Sequence, residues 1–208
     1  GMHFNAAGPS LLEQILQSPD VQKSNILDRA KAAIGRIQEV DLSKYNNFDP
    51  DCPAPDPGYV LVIDQTRDDA AIRHAGASAA SFPAMLAAAR RAFPDRKILI
   101  RTHPETRMGL RPGHFGPADT DAQVSLLTDP ISPNRLLAGA AAVFTVSSQL
   151  GFEAILHGHR PHVFGQPFYA GWGLTQDEQP LPRRQTILTP AALFAGAMIL
   201  APLWYDPC

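Results

Sequence analysis

Tyr59-Val60-Leu61-Val62-Ile63-Asp64-Gln65-Thr66-Arg67-Asp68-Asp69 is the stretch that decides the fold. Five apolar residues without a gap are what a strand shows when both of its faces are covered, as in a parallel sheet. The run ends abruptly in a polar turn rich in carboxylates. The same figure recurs downstream. A second strand at 97–102 runs into His103-Pro104-Glu105, and a short third lies at 124–128. A fourth at 142–146 runs into Ser147-Ser148-Gln149, and a fifth at 162–164 runs into a loop of glycines and aromatics. Residues 82–93, 133–141, 148–157 and 190–200 read as helices between and after them. Strands alternating with helices predict an α/β fold with a Rossmann-like, doubly wound, mostly parallel sheet. Right-handed crossovers then bring the carboxyl ends of the strands to one edge, where ligands sit in such sheets.

Outward from this core, residues 10–17 and 24–38 read as helices. Ser24 stands at the N-cap position, and Ile26, Leu27, Ala30, Ala33, Ile34 and Ile37 repeat at helical spacing. Asp49-Pro50-Asp51-Cys52-Pro53-Ala54-Pro55-Asp56-Pro57-Gly58 follows as a linker, since its prolines forbid a helix and favour an extended course. The expected organisation is a helical connector over 1–48, the proline-rich linker over 49–58 and the α/β domain over 59–208. Gly1-Met2 reads as a tag remnant before a start methionine.

The chain has 208 residues, 45% of them hydrophobic, enough for one good-sized core. Its net charge of −2 leaves no electrostatic footprint for duplex nucleic acid. Cys52 and Cys208 have no metal-ligand spacing and make no disulfide framework, which suits a reducing compartment. Neither a signal-peptide pattern nor an apolar run of about 18 residues is present. Gly-x-Gly-x-x-Gly after the first strand, a Gly-Lys-Ser/Thr P-loop and a Gly-x-Ser-x-Gly elbow are all missing, which argues against dehydrogenase, kinase and hydrolase chemistry.

The polar clusters at the strand ends carry the chemistry. Asp64, Asp68 and Asp69 read as a nucleophile, a metal site or helix caps, and a metal site is disfavoured because no further ligand stands at suitable spacing. His103 between Arg101 and Glu105 is either a structural histidine or a group that binds phosphate or moves a proton. One of Ser147 and Ser148 caps the helix they open, and a helix start with hydroxyls also suits a phosphate. Glu153 either faces the same cleft or is a solvated helix residue. The loop Phe164-Gly165-Gln166-Pro167-Phe168-Tyr169-Ala170-Gly171-Trp172-Gly173-Leu174-Thr175 either lines a ligand site or packs over the sheet.

Taken together these segments resemble the capsule polysaccharide biosynthesis family, the bacterial KpsC/LipB-like group of retaining β-Kdo glycosyltransferases. The matching residues are Asp64-Gln65-Thr66 with Asp69, then Thr102-His103-Pro104, then Thr145 to Glu153, and most strongly the loop from Phe164 to Thr175. Ser43-Lys44-Tyr45-Asn46 and Tyr205-Asp206-Pro207 also look like signposts of that family. The resemblance implies one half, the donor-binding half, of a GT-B-type enzyme of two Rossmann-like halves. It implies transfer of Kdo from CMP-Kdo, with retention, to a lipid-linked saccharide acceptor in the cytoplasm or at the inner membrane, beside the capsule assembly machinery. It implies no cofactor besides the donor substrate; that no metal is expected follows from the ligand spacing above, and that no nucleic acid partner is expected from the charge. The half that precedes it in the family holds the acceptor.

Carried over residue by residue, the resemblance makes Asp69 the nucleophile and His103 the donor-contacting or proton-transferring group. Ser147, Ser148 and Gln149 receive the CMP phosphate, and Glu153 holds the ribose. Gln65, Gly165, Tyr169, Gly171 and Trp172 shape the donor pocket, and Arg67 or Arg101 pairs with the sugar carboxylate or the phosphate. The chain departs from the pattern at Asp68, where the family usually has glycine, at Ala71 in place of serine, and at Arg101 in place of lysine. A non-catalytic nucleotide-sugar-binding domain, or a polysaccharide-export accessory, is the competing expectation.

Overall fold

The computed structural model describes residues 6–202. Gly1-Met2, Tyr205-Asp206-Pro207 and Cys208 lie outside the described residues. Six strands form one sheet: β1 (Tyr59–Ile63), β2 (Ile98–Arg101), β3 (Val124–Leu127), β4 (Ala140–Thr145), β5 (His162–Val163) and β6 (Gln176–Asp177). Their order is β3-β2-β1-β4-β5-β6, with every pair parallel. The α/β, doubly wound expectation is therefore met. The order reverses between β1 and β4, so a crevice opens beyond the ends of these two strands.

The continuous apolar run of β1 has its reason in the layers around it. Val60 and Val62 face one way, into a cluster with Phe82, Met85 and Ala89 of α4 (Ser81–Ala92). Tyr59, Leu61 and Ile63 face the other way, toward Leu136 and Leu137 of α6 (Pro133–Gly139) and Leu150 and Ala154 of α7 (Gln149–Leu156). Successive strand residues alternate between faces, and here both faces are covered. A third cluster joins α7 to the amino-terminal helices α1 (Leu11–Gln17) and α2 (Ser24–Glu39) and to α8 (Pro190–Phe194), through Leu16, Val21, Ala30, Phe152, Tyr169, Trp172 and Phe194.

Caps written in the sequence start several of these helices. Ser10, Ser132, Ser148 and Thr189 each accept a backbone N–H of the following first turn, and Pro133 and Pro190 occupy first helical positions, where a missing N–H costs nothing. Ser24 is a correction. It is already helical, and Lys23 stands at the cap with no side-chain bond. Two short helices, α3 (Ala70–His74) and α5 (Pro104–Arg107), follow β1 and β2. The last helix turns into a π-helix over Ala195–Leu200, where a Cβ on Gly196 would strike Leu16.

Asp68 takes a left-handed backbone, φ 62°, immediately before the cap of α3. Glycine occupies that conformation without a Cβ penalty, while aspartate tolerates it at a cost. Asp68→Gly is therefore expected to stabilise the fold by up to about 1 kcal/mol, less what the glycine gains in chain entropy when unfolded. A urea midpoint that falls instead of rising would show that the aspartate is held there by an interaction worth more than the strain.

A buried ion cluster fastens α1 to the rest. Glu13 is only 2% exposed, and its Oε1 accepts from the Arg184 guanidinium at 2.7 and 2.8 Å. Its Oε2 accepts from Arg183 Nε at 2.9 Å. Arg184 also donates to the carbonyls of Pro167 and Ala170, and it lies over the Trp172 ring. Burial pushes the Glu13 carboxyl up, but the two guanidiniums overcome that and hold it below the ordinary value.

Candidate functional site

A cavity of about 340 Å³ opens beyond the ends of β1, β2 and β4, within the size range of small-molecule sites. At its centre Gln65 bolts two loops together. Its Oε1 accepts from the Ser147 backbone N–H at 3.0 Å, and its Nε2 donates to Ser147 Oγ at 3.1 Å and to Asp69 Oδ2 at 3.3 Å. Asp69 is the N-cap of α3, its Oδ1 accepting from Ala71 N–H at 2.9 Å. Both carboxylate oxygens are thus oriented before any ligand arrives, and Asp69 remains part of the cavity wall.

Asp64 is buried beneath this turn. It accepts the backbone N–H groups of Gln65, His114 and Phe115, which ties β1 to the 113–115 loop. A Cβ on Gly113 would collide with its carboxylate. Burial pushes the Asp64 carboxyl up to about 6, against the pull of those three N–H groups. Its oxygens are committed to the loop, which gives Asp64 a positioning role.

His103 caps α5. Its Nδ1 accepts from Glu105 N–H at 3.2 Å, and burial lowers its proton affinity. The neutral ring then carries its hydrogen on Nε2, so it donates hydrogen bonds from that side and cannot take a proton there. Arg101 lines the same cavity with its charge half-buried, and burial lowers it to about 10, so it remains a cation at neutral pH. Its guanidinium makes no hydrogen bond or ion pair within the described residues. A desolvated cation of this kind is built to meet an anion.

Ser148 caps α7, its Oγ accepting from Leu150 N–H at 3.3 Å. Behind it the Tyr169 hydroxyl donates to the Ser148 carbonyl at 2.6 Å. That contact requires Gly151, where a Cβ would strike both the phenol and Thr145. Tyr169 and Trp172 are fully buried, and Trp172 Nε1 donates to the Phe168 carbonyl.

Of the residues expected at the site, the cavity wall unites Gln65, Asp69, Arg101, His103, Ser147, Ser148, Gln149 and Glu153. It does not include Arg67, which lines a neighbouring bowl, nor Gly165, Tyr169, Gly171 and Trp172. The apolar bulk of Tyr169 and Trp172 drives them under the site, where they support it, while Pro167 and Phe168 of the same loop reach the wall. Glu153 faces the cleft and also holds its neighbours. Its Oε2 accepts from Ser43 Oγ at 2.7 Å and its Oε1 from Lys44 N–H at 3.3 Å, so both oxygens hold a strap of backbone. Ser43, Lys44 and Tyr45 of that strap line the cavity, with the Tyr45 ring edge-on to His103 at 5.3 Å. Sequence reasoning noted the Ser-Lys-Tyr-Asn signpost but gave it no place at the site. Among the described residues no group of three or more His, Cys, Asp or Glu side chains is disposed to hold a metal ion.

Comparison with known proteins gives this geometry a context. The family described as "Capsule polysaccharide biosynthesis protein" matches residues 23–203. The capsule polysaccharide modification protein LipA of Neisseria meningitidis serogroup A is 37% identical over 186 residues, 86% of this chain and 26% of LipA. The lipopolysaccharide-processing protein LpsZ of Rhizobium meliloti is 33% identical over 207 residues, 97% of this chain and 47% of LpsZ. This chain thus spans about a quarter of one relative and just under half of the other. Among solved structures, the KpsC β-Kdo 2,4 transferase of Thermosulfurimonas dismutans superposes with a TM-score of 0.87 at 34% identity, over 95% of this chain and 62% of that one. The β-Kdo 2,7 transferase of the same KpsC gives 0.74 at 27% identity, over the whole of this chain and 63% of that one.

Proposed function

The chain belongs to the capsule polysaccharide biosynthesis family, and from that premise we propose that it is the donor-binding half of a retaining β-Kdo glycosyltransferase. The observation that carries the reading is the convergence at the sheet's switch point. A pre-oriented Asp69 carboxylate, an unpaired Arg101 cation, the His103 donor and the start of α7 line one cavity.

The roles follow from the groups. The CMP phosphate meets Ser147, Ser148 and Gln149 at the amino terminus of α7, where the helix dipole and hydroxyls favour an anion. Arg101 supplies a full charge and His103 Nε2–H a hydrogen bond as negative charge grows on the leaving phosphate. Asp69 attacks the anomeric carbon as the bond to CMP breaks. The acceptor hydroxyl, losing its proton, then displaces Asp69, and two inversions give retention. Tyr45 and Lys44 close the cavity from the strap that Glu153 holds. The acceptor, a lipid-linked saccharide, is bound by the other half of the transferase. A setting in the cytoplasm and at the periphery of the inner membrane belongs to the same proposal. Among the described residues no helix is long and apolar enough to cross a membrane.

Calorimetric titration with CMP, with UMP as the control, tests the reading. Saturable binding of CMP is expected, weakened about five- to tenfold in Ser148→Ala by loss of about one hydrogen bond. A chain that binds neither nucleotide would favour the accessory-domain alternative.

A further inference from the structure

Of the seven large apolar side chains that stand exposed among the described residues, five lie on two segments that meet. Val40, Leu42 and Tyr45 belong to the strap and the turn leading into it, and Met108 and Leu110 to the loop after α5. Arg107 joins the two segments, its Nη2 donating to the Asn47 carbonyl at 3.3 Å. Leu110 is 68% exposed and Met108 52%. Between them Gly109 takes a left-handed backbone, φ 71°, so the chain turns over at the tip of the loop. The loop is nonetheless tied down. Arg67 N–H donates to the Pro112 carbonyl at 2.8 Å, Arg111 Nη2 donates to the Arg67 carbonyl at 3.0 Å, and Thr66 bridges to Gly113. Apolar side chains scattered singly over a surface need no explanation, but a cluster of them held in water marks a contact.

Charge says what the contact is with. The two segments and the turn at Arg67 carry Lys44, Arg67, Arg107 and Arg111 against Asp41, Asp68 and Glu105. Asp41 is engaged elsewhere, accepting from Ser132 Oγ and Asn134 Nδ2, and Glu105 is matched by Arg111 at 3.5 Å. This edge is therefore positive on a chain whose net charge is −2. Aliphatic side chains at a projecting tip, ringed by long cationic ones, are what a protein presents to an anionic bilayer: the tip enters the headgroup layer while the cations meet phosphates. A protein partner suits the shape less well, since the apolar groups are set among charges on a convex loop rather than joined in a flat patch or a groove. The position fits too. His103 and Pro104, at the start of α5, line the cavity, so a bilayer met at this tip lies beside the cavity mouth.

We propose that the loop from Arg107 to Pro112, with the strap beside it, is the surface on which the chain rests against an anionic phospholipid bilayer, Met108 and Leu110 entering the headgroup layer and Lys44, Arg67, Arg107 and Arg111 facing lipid phosphates. The inference rests on the donor-half reading only for the lipid-linked acceptor that such a surface brings to the cavity, and its test separates the two. The purified chain would be sedimented with vesicles of phosphatidylethanolamine and phosphatidylglycerol, and with vesicles of phosphatidylcholine alone. Binding to the anionic vesicles is expected, at least about tenfold tighter than to the neutral ones and weakened by salt. Met108→Ser with Leu110→Ser is expected to lower the affinity for anionic vesicles at least about tenfold. Its CMP affinity is expected to stay as in the wild type, because neither side chain lines the cavity. In Leu110→Trp the new indole is expected to shift its emission to the blue on anionic vesicles and to be quenched by brominated lipid. A chain that sediments with neither kind of vesicle overturns the proposal and leaves the tip to a protein partner. Sedimentation unmoved in the double serine variant, or an indole at 110 that neither shifts nor is quenched while the protein sediments, puts the contact elsewhere and overturns it as well. Failure of the wild type to bind CMP counts against the donor-half reading and leaves the vesicle result standing.

Discussion

On the proposed double displacement, Asp69→Asn is expected to cut CMP release from CMP-Kdo by at least about a thousandfold, some 4 kcal/mol on the barrier, in a protein carrying both halves. The substitution is clean because asparagine caps a helix as well as aspartate does, so α3 keeps its first turn. What changes, in the proposed mechanism, is nucleophilicity, since an amide oxygen forms no stable bond to the anomeric carbon. One local cost is foreseeable. Gln65 is fixed by the Ser147 N–H and presents its Nε2 to Asp69, so an asparagine amide there meets donor with donor. That mismatch costs about 1 kcal/mol of stability, visible as a small drop in melting temperature and far too little to explain the rate. An Asp69→Asn enzyme that turns over within tenfold of wild type would remove Asp69 from the covalent step.

Glu13→Ala is expected to destabilise the fold by about 3–5 kcal/mol, because it leaves the buried Arg184 charge without its carboxylate. The loss spreads. Arg184 also holds the carbonyls of Pro167 and Ala170, so the glycine-aromatic loop loosens together with α1. A pH dependence accompanies it. The folded Glu13 carboxyl lies below its ordinary 4.5, so its contribution is complete above that value and is lost as pH falls through the folded one. Glu13→Ala should therefore flatten the acid limb of the stability profile. A variant that melts within about 1 °C of wild type, with an unchanged acid limb, would mean that Arg184 is satisfied by its carbonyl partners alone.

The sheet was legible because its signals are local. β1 is apolar on both faces, and the serine and threonine caps before Pro133 and Pro190 mark helix starts within three residues. Where the reading slipped, a distant partner decided. Ala140 and Ala141 carry helical propensity, but Ala140 pairs with Tyr59 of β1 and Ala141 lies in the register shift before Ala142 meets Val60, so β4 begins two residues earlier than expected. β6 is two residues long and exists only as a parallel rung on β5. The site shows the same division. Residues that follow a strand end, Gln65, Asp69, His103 and Ser147 among them, could be placed from topology. Glu153 and the Ser43–Tyr45 strap could not, because 110 residues separate Ser43 from the carboxylate that holds it. Tyr169 and Trp172 carry polar handles that suit a ligand, yet both handles are taken by backbone carbonyls inside the core.

The strap has a consequence for anyone who would recombine members of this family. The proline-rich stretch at 49–58 looks like a natural seam, and a chimera begun at Tyr59 would retain all six strands. It would also lose Ser43, Lys44 and Tyr45 from the cavity roof, and Leu12, Leu16, Val21 and Ala30 from the third core cluster. The portable unit is therefore wider than the sheet. A graft meant to exchange the cavity has to carry its own amino-terminal helices, or it will transplant a cleft without a ceiling.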